Sequence, residues 1–355
     1  SISYDVANKT LSITPLTTKG TKCYLYFDET LNGAILSDNP TIDNSRSNGI
    51  TGPLTDNTTG TLYTAEDDYG TSYFYAGDVD NNWVSFAGFY WRIIRINGDG
   101  SIRMIYSGED TGTVTEANRT GEATQIGTSA FNEHANDNAY VGYMYGTPGS
   151  DTYEETHANI NDSTIKTVLD NWYENNLLDY SGYLSTEQGF CNDRQIRTDL
   201  SSYYEQYYGI LGYGTENTIY DTRFADGNTI AKEIIIPNLK CSQVNDYFTI
   251  NGSSRGNYAL NYPTGLITAD EFILAGGFLR QNVSNTNYYL YTGQYYWTMS
   301  PSVYSDNAFV FATSTEIGMY GEVSFSLIGV RPVINLDKNV TISSGDGTSS
   351  NPYRI

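Results

Sequence analysis

Apolar and polar residues alternate with a period of two at the start of the chain. Ile2-Ser3-Tyr4-Asp5-Val6 and Thr10-Leu11-Ser12-Ile13-Thr14 flank Ala7-Asn8-Lys9, and Lys22-Cys23-Tyr24-Leu25-Tyr26-Phe27 follows. That period sends successive side chains to opposite faces of a pleated strand, so the segment predicts a small β module. From Asn32 to Thr61 the chain turns to Gly, Asn, Asp, Pro, Ser and Thr with few apolar residues, the composition of a linker or long surface loop. A small N-terminal β module with its linker is therefore expected over 1–50 and a larger domain over 51–355.

The larger unit opens at Asp67-Asp68-Tyr69-Gly70. Two apolar runs, Val84 to Ile96 and Ser101 to Tyr106, are joined by Asn97-Gly98-Asp99-Gly100. Asn-Gly between such runs predicts a hairpin whose central residues both take positive φ. Gly98-Asp99-Gly100 also has the composition of a metal or phosphate loop, but alone in a turn it is read as the turn. Residues 107–160 are polar and hold both histidines, His134 and His157, with no second His one helical turn away, so both are read as solvated loop residues. A helix follows, capped by Asp162 or Ser163, with Ile165, Val168, Leu169, Trp172 and Leu177 on one face and Trp172 taken as core. A tyrosine cluster (Tyr203, Tyr204, Tyr207, Tyr208, Tyr213) comes next. Tyr262 to Gly277 then reads as a strand entering a short capped helix stopped by glycine.

Charge narrows the partners. The chain of 355 residues carries 19 Lys+Arg against 41 Asp+Glu, a net charge of -22, which repels phosphate backbones and anionic lipid. Nucleic acid is thereby disfavoured as a partner. With 33 Tyr and 34 Gly the surface suits a β-rich secreted protein. No apolar run is long enough to span a membrane. The start at Ser1 suggests a processed chain whose leader or anchor lies elsewhere. Cys23, Cys191 and Cys241 have neither zinc nor C-x-x-C spacing. One disulfide and one spare thiol is the simplest count, with Cys191 paired to Cys241 across a long loop and stabilising by about 3–4 kcal/mol. Three reduced, buried thiols is the other reading.

Near the end, two islands, Tyr-Trp-Thr-Met-Ser-Pro (296–301) and Gly-Val-Arg-Pro-Val-Ile-Asn-Leu (329–336), bracket a polar, aromatic insert. Together with Phe-Tyr-Trp-Arg-Ile-Ile-Arg-Ile in the hairpin, Ser-Thr-Ile-Lys-Thr-Val-Leu-Asp-Asn-Trp-Tyr in the helix and Gly-Leu-Ile-Thr-Ala-Asp-Glu in the turn, their order resembles the C-type-lectin-like fold in its formylglycine-generating-enzyme-like branch, found in bacterial surface and phage-tail proteins. The resemblance covers roughly residues 67–340. It implies an α+β, β-rich fold, with Trp297, Ser300, Arg331 and Pro332 as framework. Arg331 stands among apolar residues, so its guanidinium needs carboxylate or carbonyl partners and is an internal clamp.

The same resemblance makes residues 302–326 a ligand-facing surface. Tyr304, Asp306, Asn307, Ser314, Glu316, Tyr320, Glu322 and Ser324 are its candidate contact residues, while Phe309, Phe311, Val323 and Phe325 are expected to alternate inward. An ordinary solvated loop is the plainer alternative for any one of them. The enzyme that names the branch uses a cysteine pair, and no cysteine follows Cys241, so its activity is not carried over. No catalytic residue, metal or cofactor is assigned. Calcium would draw on Glu66-Asp67-Asp68 or Asp78 with Asp80, but neither fits a calcium motif and a charged, solvated face accounts for both. The expectation is a non-enzymatic extracellular binding or adhesion module for a protein or glycan ligand. The alternative is a structural subunit of a surface filament or layer, joined through the strand-like ends Ile2–Thr14 and Val340–Ile355.

Overall fold

The computed structural model describes residues 2–5, 10–14, 29–47, 49–150, 152–194, 220–221, 236–278, 287–304, 307–313 and 317–355. Strands β1 (Ile2–Asp5) and β2 (Thr10–Ile13) pair antiparallel, Ile2 opposite Ile13, where the alternation predicts them. The expected strand around Cys23 and the tyrosine cluster at 203–213 lie outside the described residues.

The first part of the stretch 32–61 is not the loop its composition suggests, while the described residues from 44 to 60 hold no helix or strand. Leu31–Asp38 forms helix α1, with Thr30 accepting a hydrogen bond from Gly33 N at its N-cap. Leu31, Ala34 and Ile35 are buried in the core. Strand β3 (Thr41–Asp43) then runs parallel to β4 (Thr61–Asp67). Three apolar residues at i, i+3 and i+4 suffice to seat a two-turn helix, and a composition average over thirty polar positions hides them.

The main sheet continues through β5 (Gly70–Phe74), β6 (Trp83–Phe86), β7 (Phe89–Ile96) and β8 (Ile102–Glu109). The hairpin of β7 and β8 forms as expected, but its turn differs. Gly100 N donates to Asn97 O, and Gly100, not the Asn97-Gly98 pair, takes positive φ, at 90°. A type I turn closed by a left-handed glycine makes the longer connection. The two-residue turn with positive φ at both centres joins β6 to β7 instead, at Ala87 (54°) and Gly88 (81°). Gly98 is needed for another reason: a Cβ there would lie 2.4 Å from Asp67 Oδ1. From Tyr90 to Ile96 every residue of β7 is buried, so the strand is covered on both faces.

Short helices α2 (Glu116–Arg119) and α3 (Tyr153–Thr156) and the two-residue strands β9 (Thr128–Ser129), β10 (Met144–Tyr145) and β11 (Asn161–Asp162) occupy the polar region. Helix α4 (Thr164–Asn176) is capped by Ser163, whose side chain accepts from Lys166 N. It buries Ile165, Leu169 and Tyr173, with Leu177 just beyond its end, while Val168 and Trp172 pack partly buried against the same core. Short strands β12 (Phe190–Cys191), β13 (Tyr220–Asp221) and β14 (Tyr247–Phe248) follow. Helix α5 (Ala269–Leu274) has a full capping box of Thr268 and Glu271, and Gly276 beyond it takes φ 119°. The strand expected before it is a single bridge, Gly265 to Val333.

Strands β15 (Tyr296–Tyr304), β16 (Ala308–Thr313) and β17 (Ile317–Glu322) form an antiparallel ribbon, which β18 (Ile328–Gly329) and β9 extend in the order β17-β16-β15-β18-β9. Strand β19 (Val333–Leu336) returns to the main sheet beside β8. The tail strand β20 (Tyr353–Arg354) pairs parallel with β6. That pairing occupies the terminal segment expected to be free for another subunit. The whole is a β-rich mixture of sheets and short helices, and among the described residues no helix is long and apolar enough to cross a membrane.

Candidate binding surface and buried polar cleft

The two sequence islands meet in space. Tyr296 in β15 pairs with Gly329 in β18, and the Arg331 guanidinium lies 4.8 Å from the Tyr296 ring centroid. Arg331 is buried and donates through Nε (3.2 Å) and Nη2 (3.0 Å) to Tyr106 O, so its partners are carbonyls and a ring. Tyr106 N donates to Pro332 O. Trp297 is fully buried, donates from Nε1 to Ser129 O at 2.8 Å and meets Phe131 edge-on. Ser300 Oγ accepts from Ala269 N at the start of α5.

On this base stands the insert. Among its described residues the buried ones are Ser302 on β15, Ala308 and Val310 on β16, Gly321 on β17, Val323, and Ile328 on β18. Gly321 fits because a Cβ there would come within 2.7 Å of both the Trp297 ring and Ile328 Cδ1. Asn307 Nδ2 donates to Glu322 Oε2 at 2.9 Å, and Ser324 Oγ donates to Glu322 Oε1. The fold thus brings three of the eight candidates into one cluster. Tyr304 ends β15, its backbone paired with Tyr220 and Ala308, and the Tyr320 backbone faces Phe311 across the ribbon. Asp306, Ser314 and Glu316, and the side chains of Tyr304, Tyr320, Phe309 and Phe311, lie outside the described residues. Phe325 corrects the expected inward set. It follows the last strand residue in a turn, with its N–H on Glu322 O, so strand alternation no longer governs it and it is 53% exposed. Leu327 beside it is 86% exposed.

A second constellation lies outside the residues that the sequence pattern singles out. Beneath the main sheet Arg95 Nη1 lies 2.9 Å from Asp67 Oδ2, Arg95 Nε 3.1 Å from Glu271 Oε1, and Arg103 Nε 2.5 Å from the same oxygen. All four side chains are buried. Asp67 also accepts from Tyr69 N, Gly70 N, Ser72 Oγ and Gly98 N. It is therefore an internal hub, not part of a solvated acidic face. Burial pushes both carboxyls upward, but cations and hydrogen bonds outweigh it. Arg95 and the Gly98 N–H hold Asp67 below its usual 3.8, and Arg103, Arg95 and the Thr268 N–H hold Glu271 below 4.5. Arginine inside an apolar strand is the signal used for Arg331, and applied to the Arg-Ile-Ile-Arg run and to Arg103 it points to this cluster too.

Arg103, Glu271 and Tyr247 line a cavity of about 30 Å³, roomy enough for a water, with the disulfide of Cys191 and Cys241 in its wall. Gln188, 5% exposed, lines it as well, and its Nε2 has no hydrogen-bond partner among the described residues. Two open grooves of about 390 and 470 Å³ adjoin it, sharing Arg255 and Ser254 at their rims. Both sulfurs at this site are committed to the disulfide, and Glu271 is held ionised by two guanidiniums. The arrangement ties β12, the 236–241 segment, β8 and α5 together.

The two histidines diverge. His134 is exposed, whereas His157 is fully buried, with Nδ1 3.4 Å from Arg194 Nη1, in a cluster where Arg194 also pairs with Asp246 at 2.7 Å. Polar composition predicts exposure on average, and a buried Arg–Asp pair is the contact that draws this imidazole in. Among the described residues no group of three or more His, Cys, Asp or Glu is placed to hold a metal ion. Asp80 is engaged by Arg119 at 2.7 Å. No family model, curated protein or solved structure matches the chain.

Proposed function

We propose that this chain is a non-enzymatic extracellular binding module, displayed on a bacterial cell surface or a virion, whose 302–326 surface meets a protein or glycan ligand. The observation that carries the reading is the contrast within one ribbon. Its root is fixed by Trp297, Val310 and Ile328, while its end presents the Asn307–Glu322–Ser324 cluster beside exposed Phe325 and Leu327. Exposed aromatic and aliphatic groups next to polar groups are the usual anatomy of a recognition surface. The C-type-lectin-like reading is supported by element order: hairpin β7–β8, helix α4, capped α5, then the two islands around the ribbon. The disulfide supports an oxidising compartment.

Arrays of glycans and of secreted proteins test it. The parent chain will give hits that Phe325→Ser/Leu327→Ser and Asn307→Ala/Glu322→Ala each weaken by about tenfold or more. Hits untouched by both pairs would put the contact elsewhere and sink the reading.

A second reading, a structural subunit of a filament or layer, is favoured by β1 and β2, which pair only with each other among the described residues. A two-stranded sheet is marginal alone and gains from a neighbour's cover. Sedimentation of a monomer at high concentration would count against it.

A further inference from the structure

We infer that the partner of the ribbon end is a polypeptide surface carrying basic side chains around apolar ones. This rests on the proposed function and specifies the ligand of that same site.

The apolar element is a trio. Phe325 and Leu327 lie in the turn that leads from the ribbon end back to β18, and Tyr295, 38% exposed, closes the trio at the ribbon's base, where its carbonyl accepts from Gly329 N at 2.8 Å. Among the described residues, the charged side chains that the backbone contacts tie to this face are acidic. Glu322 ends β17. Exposed Glu133 follows Asn132, whose N–H donates to Val323 O at 2.9 Å. Exposed Glu122 begins the turn whose Gln125 side chain reaches the Tyr295 carbonyl at 3.4 Å.

Several acids elsewhere are matched by arginine: Asp67 has Arg95, Glu271 has two arginines, Asp246 has Arg194 and Asp80 has Arg119. At the ribbon end, among the described residues, Glu322 receives the neutral donors Asn307 and Ser324. An apolar centre ringed by carboxylates is complementary to an apolar centre ringed by Lys or Arg, which both steers the encounter and excludes acidic partners. The aliphatic Leu327, at 86% exposure, calls for an apolar pocket of the kind a protein surface provides.

Three immobilised synthetic peptides test the inference against the full chain: one of Lys, Leu and Phe, one of Glu, Leu and Phe, and one of Lys and Ser. The chain will bind the first about tenfold or more tighter than either of the others, and about tenfold more weakly at high salt than at low salt. Phe325→Ser/Leu327→Ser and Glu122→Gln/Glu133→Gln/Glu322→Gln will each remove that preference, while Asp56→Asn/Asp78→Asn, neutralising exposed acids away from this face, will leave it intact. Loss with Asp56→Asn/Asp78→Asn as well would reduce the effect to the bulk charge of -22 and overturn the inference. Array hits that depend on Phe325 and Leu327 but ignore salt and the three glutamates would overturn it and leave the ribbon as the binding site. Array hits that ignore the whole ribbon would overturn both.

Discussion

The buried quartet under the main sheet and the exposed end of the ribbon handle the same chemical material in opposite ways. In the quartet, Asp67 and Glu271 are surrounded by guanidiniums and N–H donors at 2.5–3.1 Å. At the ribbon end, Glu322 has two neutral donors and lies beside exposed Phe325 and Leu327. A buried charge survives only if its own chain satisfies it, since desolvation costs several kcal/mol per ion. A surface charge is free of that demand. Where complementarity is complete the residues specify the fold, and where it is left open they are available to a partner.

The comparison breaks most visibly from the inside. Arg95→Met, by stranding Asp67 and leaving Glu271 with Arg103 alone, will destabilise the fold by about 3–5 kcal/mol in urea unfolding; a change within experimental error would mean the quartet is solvated and not a structural hub. Cys191→Ser/Cys241→Ser frees a loop of 50 residues and will cost about 4 kcal/mol, read as a fall in melting temperature.

Gly321→Ala forces a methyl against Trp297 and Ile328 and will cost about 1–3 kcal/mol. Its effect on ligand hits should exceed its effect on the main sheet, because it tilts the ribbon at its root.

Acid provides a graded test of the same contrast. Both Asp67 and Glu271 titrate below their usual values of 3.8 and 4.5 in the folded chain. Their stabilisation is therefore complete above those values and is lost as pH falls through the lower, folded ones. Unfolding midpoints taken from about pH 7 down to about pH 3 will fall for the parent chain, and Asp67→Asn/Glu271→Gln will show a lower but flatter profile. An equally steep profile in that variant would assign the acid sensitivity to other carboxylates. The smallest effect belongs to the ribbon end: Phe325→Ser/Leu327→Ser will shift stability by no more than about 0.5 kcal/mol while weakening ligand hits by about tenfold or more. A large loss of stability would show that these side chains serve the fold.

Local pattern alone determined a good deal of this protein: the β1–β2 pairing, the β7–β8 hairpin, the face and cap of α4, the Thr268–Glu271 capping box and the choice of Cys191 with Cys241. These depend on neighbours within a turn or a strand, or, for the disulfide, on there being few sulfurs to pair. The burial of Arg331 against carbonyls was legible as well, because an arginine in an apolar run must find partners. Tertiary structure decided the rest. It seated α1 in the core out of a polar stretch, moved the paired positive φ angles to Ala87 and Gly88, and buried His157 beside Arg194. It also gathered Asp67, Arg95, Arg103 and Glu271 from positions up to 204 residues apart and turned Phe325 outward. Periodicity records which side of an element is apolar, but which charges meet and where alternation stops depend on contacts between elements distant in the chain.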